Sequence, residues 1–493
     1  MGRRGVTEPG SGESGGRTES GDRRPEPADG ADPTRCGCAG KTPLSRVVLP
    51  ARDRVAAALA GTDVELGDDA DAAVLRAGDL DRGTDLVALG EGDAPSPSGG
   101  RDVEANTDGG PAVVLACAFL GDGMADPDRL GAALSAAYAS FDGSPTRIGK
   151  GHAVQVPNAT GGRLWLERFA PVVGGDDRAT DGDAEGVVAL NVDAVNAFPA
   201  LAPGEQARIA SLNALNDAHA VGATDRRTVR PVVATPDGES PDPARVAEWY
   251  AAGTPTDVTV LAPSVLDHGG DGWLIGAGVT ARDRTVFERR PLPDDCGVLL
   301  TRPLGGLACF AHGVAVGDDG LHDRGLAHLR RDGRPVARAL STFRPDPGEP
   351  FDPQRHVVRV TDVSGEGVAG LGRVAAAAGR ALRIRRLPLL PGAAAAAEAW
   401  TVPDATVETN GPLAVFADPG VLRDVTDRIT SIRDAEPCRL GSLTRPGGGA
   451  ASDGAVVDAT DAGLSNAIES AARWPRRDRG GGAADGASRG DGR

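Results

Sequence analysis

Short apolar runs alternate with alanine-rich stretches along most of this 493-residue chain, and Gly, Pro and Asp separate them. The runs are short enough to be sheet strands, and none approaches the roughly 20 apolar residues that a membrane span needs. The alanine-rich stretches instead carry apolar residues at helical spacing. Strands mixed with helices predict an α+β fold.

The strand predictions fall on four apolar runs: 187–195, 257–265, 273–281 and 297–305. The helix predictions fall on 205–223 and 367–384, where apolar residues recur at a period near 3.6. Residues 92–186 break this rhythm and have Gly/Asp/Ser-rich edges. We interpret them as an insertion between two strands of the main domain, forming a small strand–helix–strand unit.

Both ends of the chain lack apolar residues to bury. Residues 1–34 are rich in Gly, Glu, Arg, Pro and Asp, and residues 446–493 are mostly of similar character. We expect disorder in the first segment and in most of the second. The first residues also lack the apolar segment of a signal peptide.

Composition limits the partners. The net charge is −17, and only Lys41 and Lys150 among the 53 basic residues are lysines. An acidic surface argues against a nucleic-acid partner, which would need a basic face. Six cysteines in so long a chain do not form a disulfide framework; four, Cys117, Cys296, Cys309 and Cys438, are interpreted as small buried hydrophobes. We therefore expect a cytoplasmic protein with no membrane partner.

Carboxylates recur at the ends of apolar runs or within them. Asp71 precedes a strand, Asp193 lies inside one, Asp217 falls on a helix and Asp362 ends a strand. Any one of these could cap a helix or a turn. Together they favour a hard divalent cation such as Mg²⁺, because like charges buried without one would repel.

A second cluster is Cys36-Gly37-Cys38-Ala39-Gly40-Lys41, where paired cysteines precede one of the two lysines. The thiolate is the reactive form of cysteine, and lysine is a compact cation that can reach a phosphate. The alternative is a metal-binding fragment in a flexible tail. That alternative is weak, because no second cysteine pair lies at zinc-ligand spacing.

Eight stretches of the chain share an order with a known family: CGC…K, DDADAAVL, NVDAV, NALNDAHAVGA, LLTRPLG, TDVSGEG, RLPLLPGA and ETNGPLAVF. In these stretches the chain resembles selenophosphate synthetase (selenide, water dikinase). That family belongs to the PurM-like superfamily of aminoimidazole ribonucleotide synthetase. The resemblance covers about residues 36–91 and 187–445. It implies an N-terminal sheet domain over 35–295, which forms a barrel with its copy in a homodimer, and a C-terminal α+β domain over 296–445.

The resemblance also implies roles for individual residues. Lys41 and either Cys36 or Cys38 would be catalytic, with both cysteine registers open. The residues implied to hold Mg²⁺ are Asp71, Asp193, Asp217 and Asp362. Those implied to contact ATP are Lys41, Asp68, Asp69, Asp193, Asn213 and Ser264. The family's Gly-Gly-His stretch should lie near Ser264, where this chain has Pro263-Ser264-Val265 and a displaced His268.

The implied activity is ATP- and Mg²⁺-dependent formation of selenophosphate from selenide, with release of AMP and phosphate. Two alternatives remain open. A sulfur-directed paralogue would share the fold and the ATP site but use sulfide. A catalytically inactive relative would bind nucleotide and serve a regulatory function.

Overall fold

The computed structural model describes these residues: 36–38, 49–62, 64–66, 71–76, 86–92, 112–119, four positions within 128–135, 146–148, 153–155, 163–171, 186–198, 201–236, 238–267, 272–288, 290–365, 367–399, 404–433, 435–445 and 455–457. Its strands form three six-stranded sheets, and helices pack on two of them. The fold is α+β, which confirms the sequence prediction.

The first sheet has the strand order β1-β5-β4-β7-β3, and β6 pairs with β4. Its strands are β1 (Val64–Leu66), β3 (Leu86–Gly92), β4 (Ala112–Phe119), β5 (Thr146–Ile148), β6 (Ala153–Gln155) and β7 (Arg163–Pro171). The apolar runs predicted as strands of the insertion are β4 and β7, which pair antiparallel. Of the strands that join them in the sheet, β1 precedes the insertion in sequence, and β3 ends at its first residue, Gly92.

The second sheet has the order β10-β9-β12-β8-β2, and β11 pairs with β9. Its strands are β2 (Ala73–Arg76), β8 (Val187–Asn196), β9 (Asp225–Thr235), β10 (Thr259–Val260), β11 (Ser264–Asp267) and β12 (Leu274–Asp283). Two helices, α2 (Pro203–Ala220) and α3 (Pro243–Gly253), pack together, and α2 also contacts β8 and β12. Helix α1 (Leu49–Ala58) precedes both sheets in sequence.

The third sheet has the order β14-β16-β13-β17-β15-β18. Its strands are β13 (Gly297–Leu300), β14 (Arg359–Asp362), β15 (Ala381–Ile384), β16 (Leu413–Ala417), β17 (Cys438–Thr444) and β18 (Ala455–Val457). Six helices belong to this half: α4 (Gly306–Val316), α5 (Asp319–Leu329), α6 (Arg334–Leu340), α7 (Gly367–Ala377), α8 (Ala393–Glu398) and α9 (Pro419–Thr430). Two buried cores use this sheet, one with α7 and one with α6 and α9.

Several predicted elements are shorter than the apolar runs suggested. The run 257–265 is not one strand: β10 and β11 are separate, and between them Pro263 has no N–H to donate to β9. The run 297–305 is a strand only to Leu300, because Pro303 interrupts it and Gly305 adopts φ 101° before α4 begins. The helix predicted over 367–384 ends at Ala377, since Gly379 turns the chain with φ 67° and β15 follows.

The helix predicted over 205–223 is α2, which begins two residues earlier and ends at Ala220. Fourteen of its eighteen residues are buried, including polar ones on several turns. A buried polar group needs a hydrogen-bond partner. Helix α2 therefore positions side chains between the second and third sheets.

Candidate functional site

Helix α2 faces β8 with two pairs of amide and carboxylate side chains. Asn191 and Asp193 lie two residues apart on β8 and share a face, while Asn213 and Asp217 lie four apart on α2. Asn213 Nδ2 donates to Asp193 Oδ2 at 2.7 Å, and Asn191 Nδ2 donates to Asp217 Oδ2. All four residues are buried. Each amide thus solvates a carboxylate that would otherwise be costly to bury.

The residue before Asp217 on α2, Asn216, faces the third sheet. Its Nδ2 donates to Asp362 Oδ1 at the end of β14 and to the carbonyl oxygen of Gly411 at 3.0 Å. Thr361, which precedes Asp362 on β14, donates from Oγ1 to Asp71 Oδ1 at 3.0 Å. Asp71 precedes β2 of the second sheet. Residues far apart in sequence therefore meet where the two sheets approach each other.

Each of the four aspartates predicted to bind metal accepts a hydrogen bond from a neutral side chain. Three of them lie on α2 or against it, and the fourth contacts β14 beside Asp362: Asp193, Asp217, Asp362 and Asp71. Both oxygens of Asp193 are used, since Oδ1 accepts from the backbone N–H of Ala194 at 2.8 Å. Asp71 and Asp362 are partly exposed and so are more accessible to an ion.

Among the residues that the structure describes, no three His, Cys, Asp or Glu side chains are grouped so that they could hold one metal ion. Magnesium is usually held by one or two carboxylates together with substrate phosphates and water. Asp71 and Asp362 are therefore donors of the kind that magnesium uses.

The cysteine segment, Cys36–Cys38, is buried against the same region. Gly37 forms an antiparallel bridge with Asn196 through two backbone hydrogen bonds of 2.9 Å. The N–H of Cys38 donates to Thr409 Oγ1 at 2.8 Å. Cys36 and Cys38 are each only 1% exposed. The segment is thus fixed at the end of β8 and is not a flexible tail at these three residues.

Glycine at position 37 is required by this docking. Its φ is 61°, and a Cβ there would lie 2.4 Å from Thr409 Oγ1 and 3.0 Å from side-chain atoms of Leu307 and Phe198. Any larger residue would push the cysteine segment out of its place. The central Gly of the CGC motif is therefore a packing requirement.

Residues Glu408–Gly411, here called the ETNG segment, join most parts of this region. Thr409 accepts from the cysteine segment, and the backbone N–H of Asn410 donates to Asn213 Oδ1 at 2.5 Å. The carbonyl of Gly411 accepts from Asn216 and, at 2.9 Å, from Arg302. Four consecutive residues thus hold the cysteine segment and two side chains of α2.

The same segment also holds the ends of two helices. Glu408 accepts from the backbone N–H groups of Gly305, Gly306 and Leu307 at the start of α4. Asn410 Nδ2 donates to the carbonyls of Leu329 and Arg331 at the end of α5, at 2.7 and 2.9 Å. These contacts satisfy backbone groups that a helix leaves unpaired at its termini.

Burial raises the pKa of Glu408 to about 7, although the three N–H donors and Arg302 act in the opposite direction. The residue is fully buried. Desolvation disfavours the charged form of a carboxyl group. Glu408 is therefore a carboxyl that titrates near neutral pH at the centre of the ETNG contacts.

The remaining predicted residues are placed as follows. Ser264 begins β11, where its Oγ accepts from Arg230 at 2.6 Å, and this contact does not link it to α2. Lys41, Asp68, Asp69 and His268 lie outside the described residues. Among the other cysteines, Cys296 and Cys309 are buried, as predicted, and burial raises their pKa values to about 12 and 11. Cys438 is half-buried, so the prediction of burial is wrong for that residue.

Three partners of the aspartates were not predicted from the sequence: Asn191, Asn216 and Thr361. Nor were three residues of the surrounding contacts: Glu408, Thr409 and Arg302. A signal for some of them was present, because Asn191 and Asn216 each lie inside an otherwise apolar or helical run. A buried amide must find a partner. The partner itself lies 26 residues away for Asn191 and 146 for Asn216, and no local pattern identifies it.

No protein-family model matches the chain, and neither does any curated protein. Among solved structures, thiamine-monophosphate kinase from Stenotrophomonas maltophilia K279a is similar at 16% identity and a TM-score of 0.41, covering 56% of this chain and 88% of that one. Hydrogenase maturation protein HypE in complex with ATP is similar at 13% identity and a TM-score of 0.42, covering 56% and 81%.

E. coli HypE, a hydrogenase maturation protein, is similar at 18% identity and a TM-score of 0.41, covering 55% of this chain and 85% of that one. At these values the similarity carries no functional argument, and any assignment of function rests on the chain's own residues. None of the described helices is long and apolar enough to cross a membrane.

Proposed function

We propose that the protein is an ATP- and Mg²⁺-dependent phosphotransferase that resembles selenide, water dikinase. The observation that carries the proposal is the network around α2. Asp193, Asp217 and Asp362 lie on this helix or against it, and Asp71 contacts the residue beside Asp362. The order of the motifs along the sequence predicted these four aspartates, which come from separate parts of the chain.

Bound Mg²⁺ would neutralise charge on the phosphate groups of ATP. We propose that Asp71 and Asp362 hold it together with the phosphates, because Asp193 already uses both oxygens in hydrogen bonds and Asp217 is fully buried. Asn216 and Thr361 would orient Asp362 and Asp71 through their hydrogen bonds. Partners of this kind commonly orient the residues that bind a metal.

The cysteine segment supplies the second part of the proposal. It ends three residues before Lys41, which we propose reaches the ATP phosphates. The backbone N–H of Cys38 donates to Thr409 and that of Asn410 donates to Asn213, and these contacts between the cysteine segment and α2 support the proposal. We propose that Cys36 or Cys38 handles a selenide or sulfide substrate, and that a homodimer is the working unit.

The test is incubation of the full chain with ATP and Mg²⁺, with and without selenide or sulfide, followed by phosphorus NMR. We expect AMP formation that selenide stimulates. Stimulation by sulfide alone would identify the sulfur-directed paralogue, and nucleotide binding with no hydrolysis would identify the inactive relative. A calorimetric titration with Mg·ATP that gives no heat would contradict all three.

Matched variants sharpen the test. Lys41→Ala should abolish ATP turnover, while Lys150→Ala, at the only other lysine, should leave turnover unchanged. Asp362→Asn should likewise remove turnover, whereas Asp424→Asn, an exposed aspartate on α9, should not. Cys36→Ser and Cys38→Ser, assayed separately, identify the reactive thiol. Equal effects of a variant and its control would contradict the assigned role.

A further inference from the structure

A small cleft lies where the end of α2 meets the α5–α6 connection and the third sheet. Three arginines and a single acidic residue line it: Arg302, Arg331, Arg433 and Asp332. Arginines thus outnumber acidic residues in the lining of the cleft, in a chain whose net charge is −17. Such concentration of arginine is typical of sites that recognise phosphate or carboxylate groups.

The three arginines lie at different depths. Arg302 is 6% exposed, and its Nη2 donates to the carbonyls of Asn410 and Gly411, which fix the guanidinium in place. The Arg331 side chain is 19% exposed and contacts Glu436 at 3.0 Å, while Arg433 is exposed. Positive groups thus extend from the floor of the cleft to its rim.

The α5–α6 connection approaches α2 closely because residue 333 is glycine. Gly333 has φ −73°, a conformation open to any residue, so backbone geometry does not require glycine here. A Cβ at this position would lie 2.6 Å from Asn216 Oδ1. Glycine therefore permits the close contact that brings Arg331 and α2 to opposite sides of one cleft.

A buried histidine beside this contact has polar atoms without partners. His219 is 1% exposed, and neither ring nitrogen makes a hydrogen bond within the described part of the chain. Its Nδ1 lies 3.6 Å from the position that a Cβ of Gly333 would take. A buried polar group left in this state is costly. His219 does not itself line the cleft, but it adjoins Gly333, which does.

The region's positive potential is also visible in the histidines around it. Burial, followed by Arg227 and Arg334, lowers the pKa of His219; burial, followed by Arg302 and Arg331, lowers that of His328. Within the lining of the cleft, an anion would meet the three arginines and Asp332.

We propose that this cleft binds a phosphate group, with Arg302 at its floor and Arg331 and Arg433 as the contacts that close over it. The chemical class of ligand is a tetrahedral oxyanion, either free phosphate or the phosphate of a nucleotide. Asn216, which lines the cleft, also donates to Asp362. The cleft thus adjoins the proposed ATP site, and on that proposed function it would receive the phosphate released there.

The test is calorimetric titration of the full chain with inorganic phosphate, without Mg²⁺ or nucleotide and at constant ionic strength. We expect saturable binding by the wild-type protein, weakened about tenfold by Arg331→Gln and by Arg433→Gln, as for loss of one charge-assisted hydrogen bond. Arg355→Gln, at an exposed arginine paired with Glu349, is the matched control and should bind like wild type. No binding by wild type, or equal binding by all variants, would overturn the proposal.

A second titration with AMP separates the two sources of phosphate. Binding of AMP with the same dependence on Arg331 and Arg433 identifies a site that accepts a nucleotide's phosphate; binding of inorganic phosphate alone identifies a site for the free ion. ATP turnover in a protein that does not bind phosphate here would remove this inference and leave the proposed function standing. If the wild-type protein binds phosphate but shows no ATP turnover, and the Arg331 and Arg433 variants lose phosphate binding, the proposed function fails and this inference stands.

Discussion

Replacing Glu408 by glutamine should change how the stability of the protein depends on pH. The wild-type carboxyl is fully buried, and its pKa is raised from an ordinary value of 4.5 to about 7, chiefly by desolvation. Glutamine keeps an oxygen that can accept from Gly305 and Gly306 but cannot ionise. The variant therefore removes the titration and leaves most of the contact.

The sign follows from proton binding. Between pH 4.5 and about 7 the folded state holds a proton on Glu408 that the unfolded state has lost, so wild-type stability falls as the pH rises through this range. At 1.36 kcal/mol per pH unit, the full loss is about 3 kcal/mol. Against this, the variant offers no acceptor to the N–H of Leu307, which costs roughly 1 kcal/mol at every pH.

We therefore expect Glu408→Gln to be slightly less stable than wild type at pH 4.5 and about 2 kcal/mol more stable at pH 8. The assay is denaturant unfolding of both proteins across this range. Glu398→Gln, at an exposed glutamate of α8, is the control and should follow wild type at each pH. A difference between wild type and Glu408→Gln that stays constant with pH would refute the reasoning, since it would mean that Glu408 does not titrate there.

Two further predictions test the network. Thr409→Val removes the acceptor of the Cys38 N–H, so we expect Cys36 and Cys38 to be alkylated faster than in wild type or in Thr409→Ser. The rates are measured by mass spectrometry. Equal rates would show that this hydrogen bond does not hold the cysteine segment. Asn216→Asp places a second carboxylate against Asp362, so we expect the free energy of unfolding at pH 7 to fall by about 1–3 kcal/mol. Added Mg²⁺ should recover part of this loss. Unchanged stability would contradict the contact between Asn216 and Asp362.

Elements with a local signal were predictable from the sequence. Strands β8 and β12 and helix α2 match the predicted runs within a few residues, because burial of a strand face or a helix face leaves a period in the sequence. Element ends were less predictable. Pro263, Pro303 and Gly379 ended three elements that apolar composition alone extended too far. Proline and glycine act on the backbone directly, so they outweigh an apolar run.

The site was predictable only in part. The aspartates could be found because each lies at one end of an apolar run or within one. The ETNG segment could not be assigned its contacts, since Glu408 is bonded to residues more than 100 positions away and Thr409 to one 371 positions away. Such pairings depend on how whole sheets meet. A single sequence gives the residue type but not the partner.

The partners found in the structure change how the cluster of aspartates is understood. From the sequence, four carboxylates in one region implied repulsion that only a cation could relieve. In the structure each carboxylate accepts from an amide or hydroxyl group, and these donors are neutral. Neutral donors stabilise a carboxylate by solvating it and add no positive charge that would compete with a cation. The network is therefore able to fold before any ion binds.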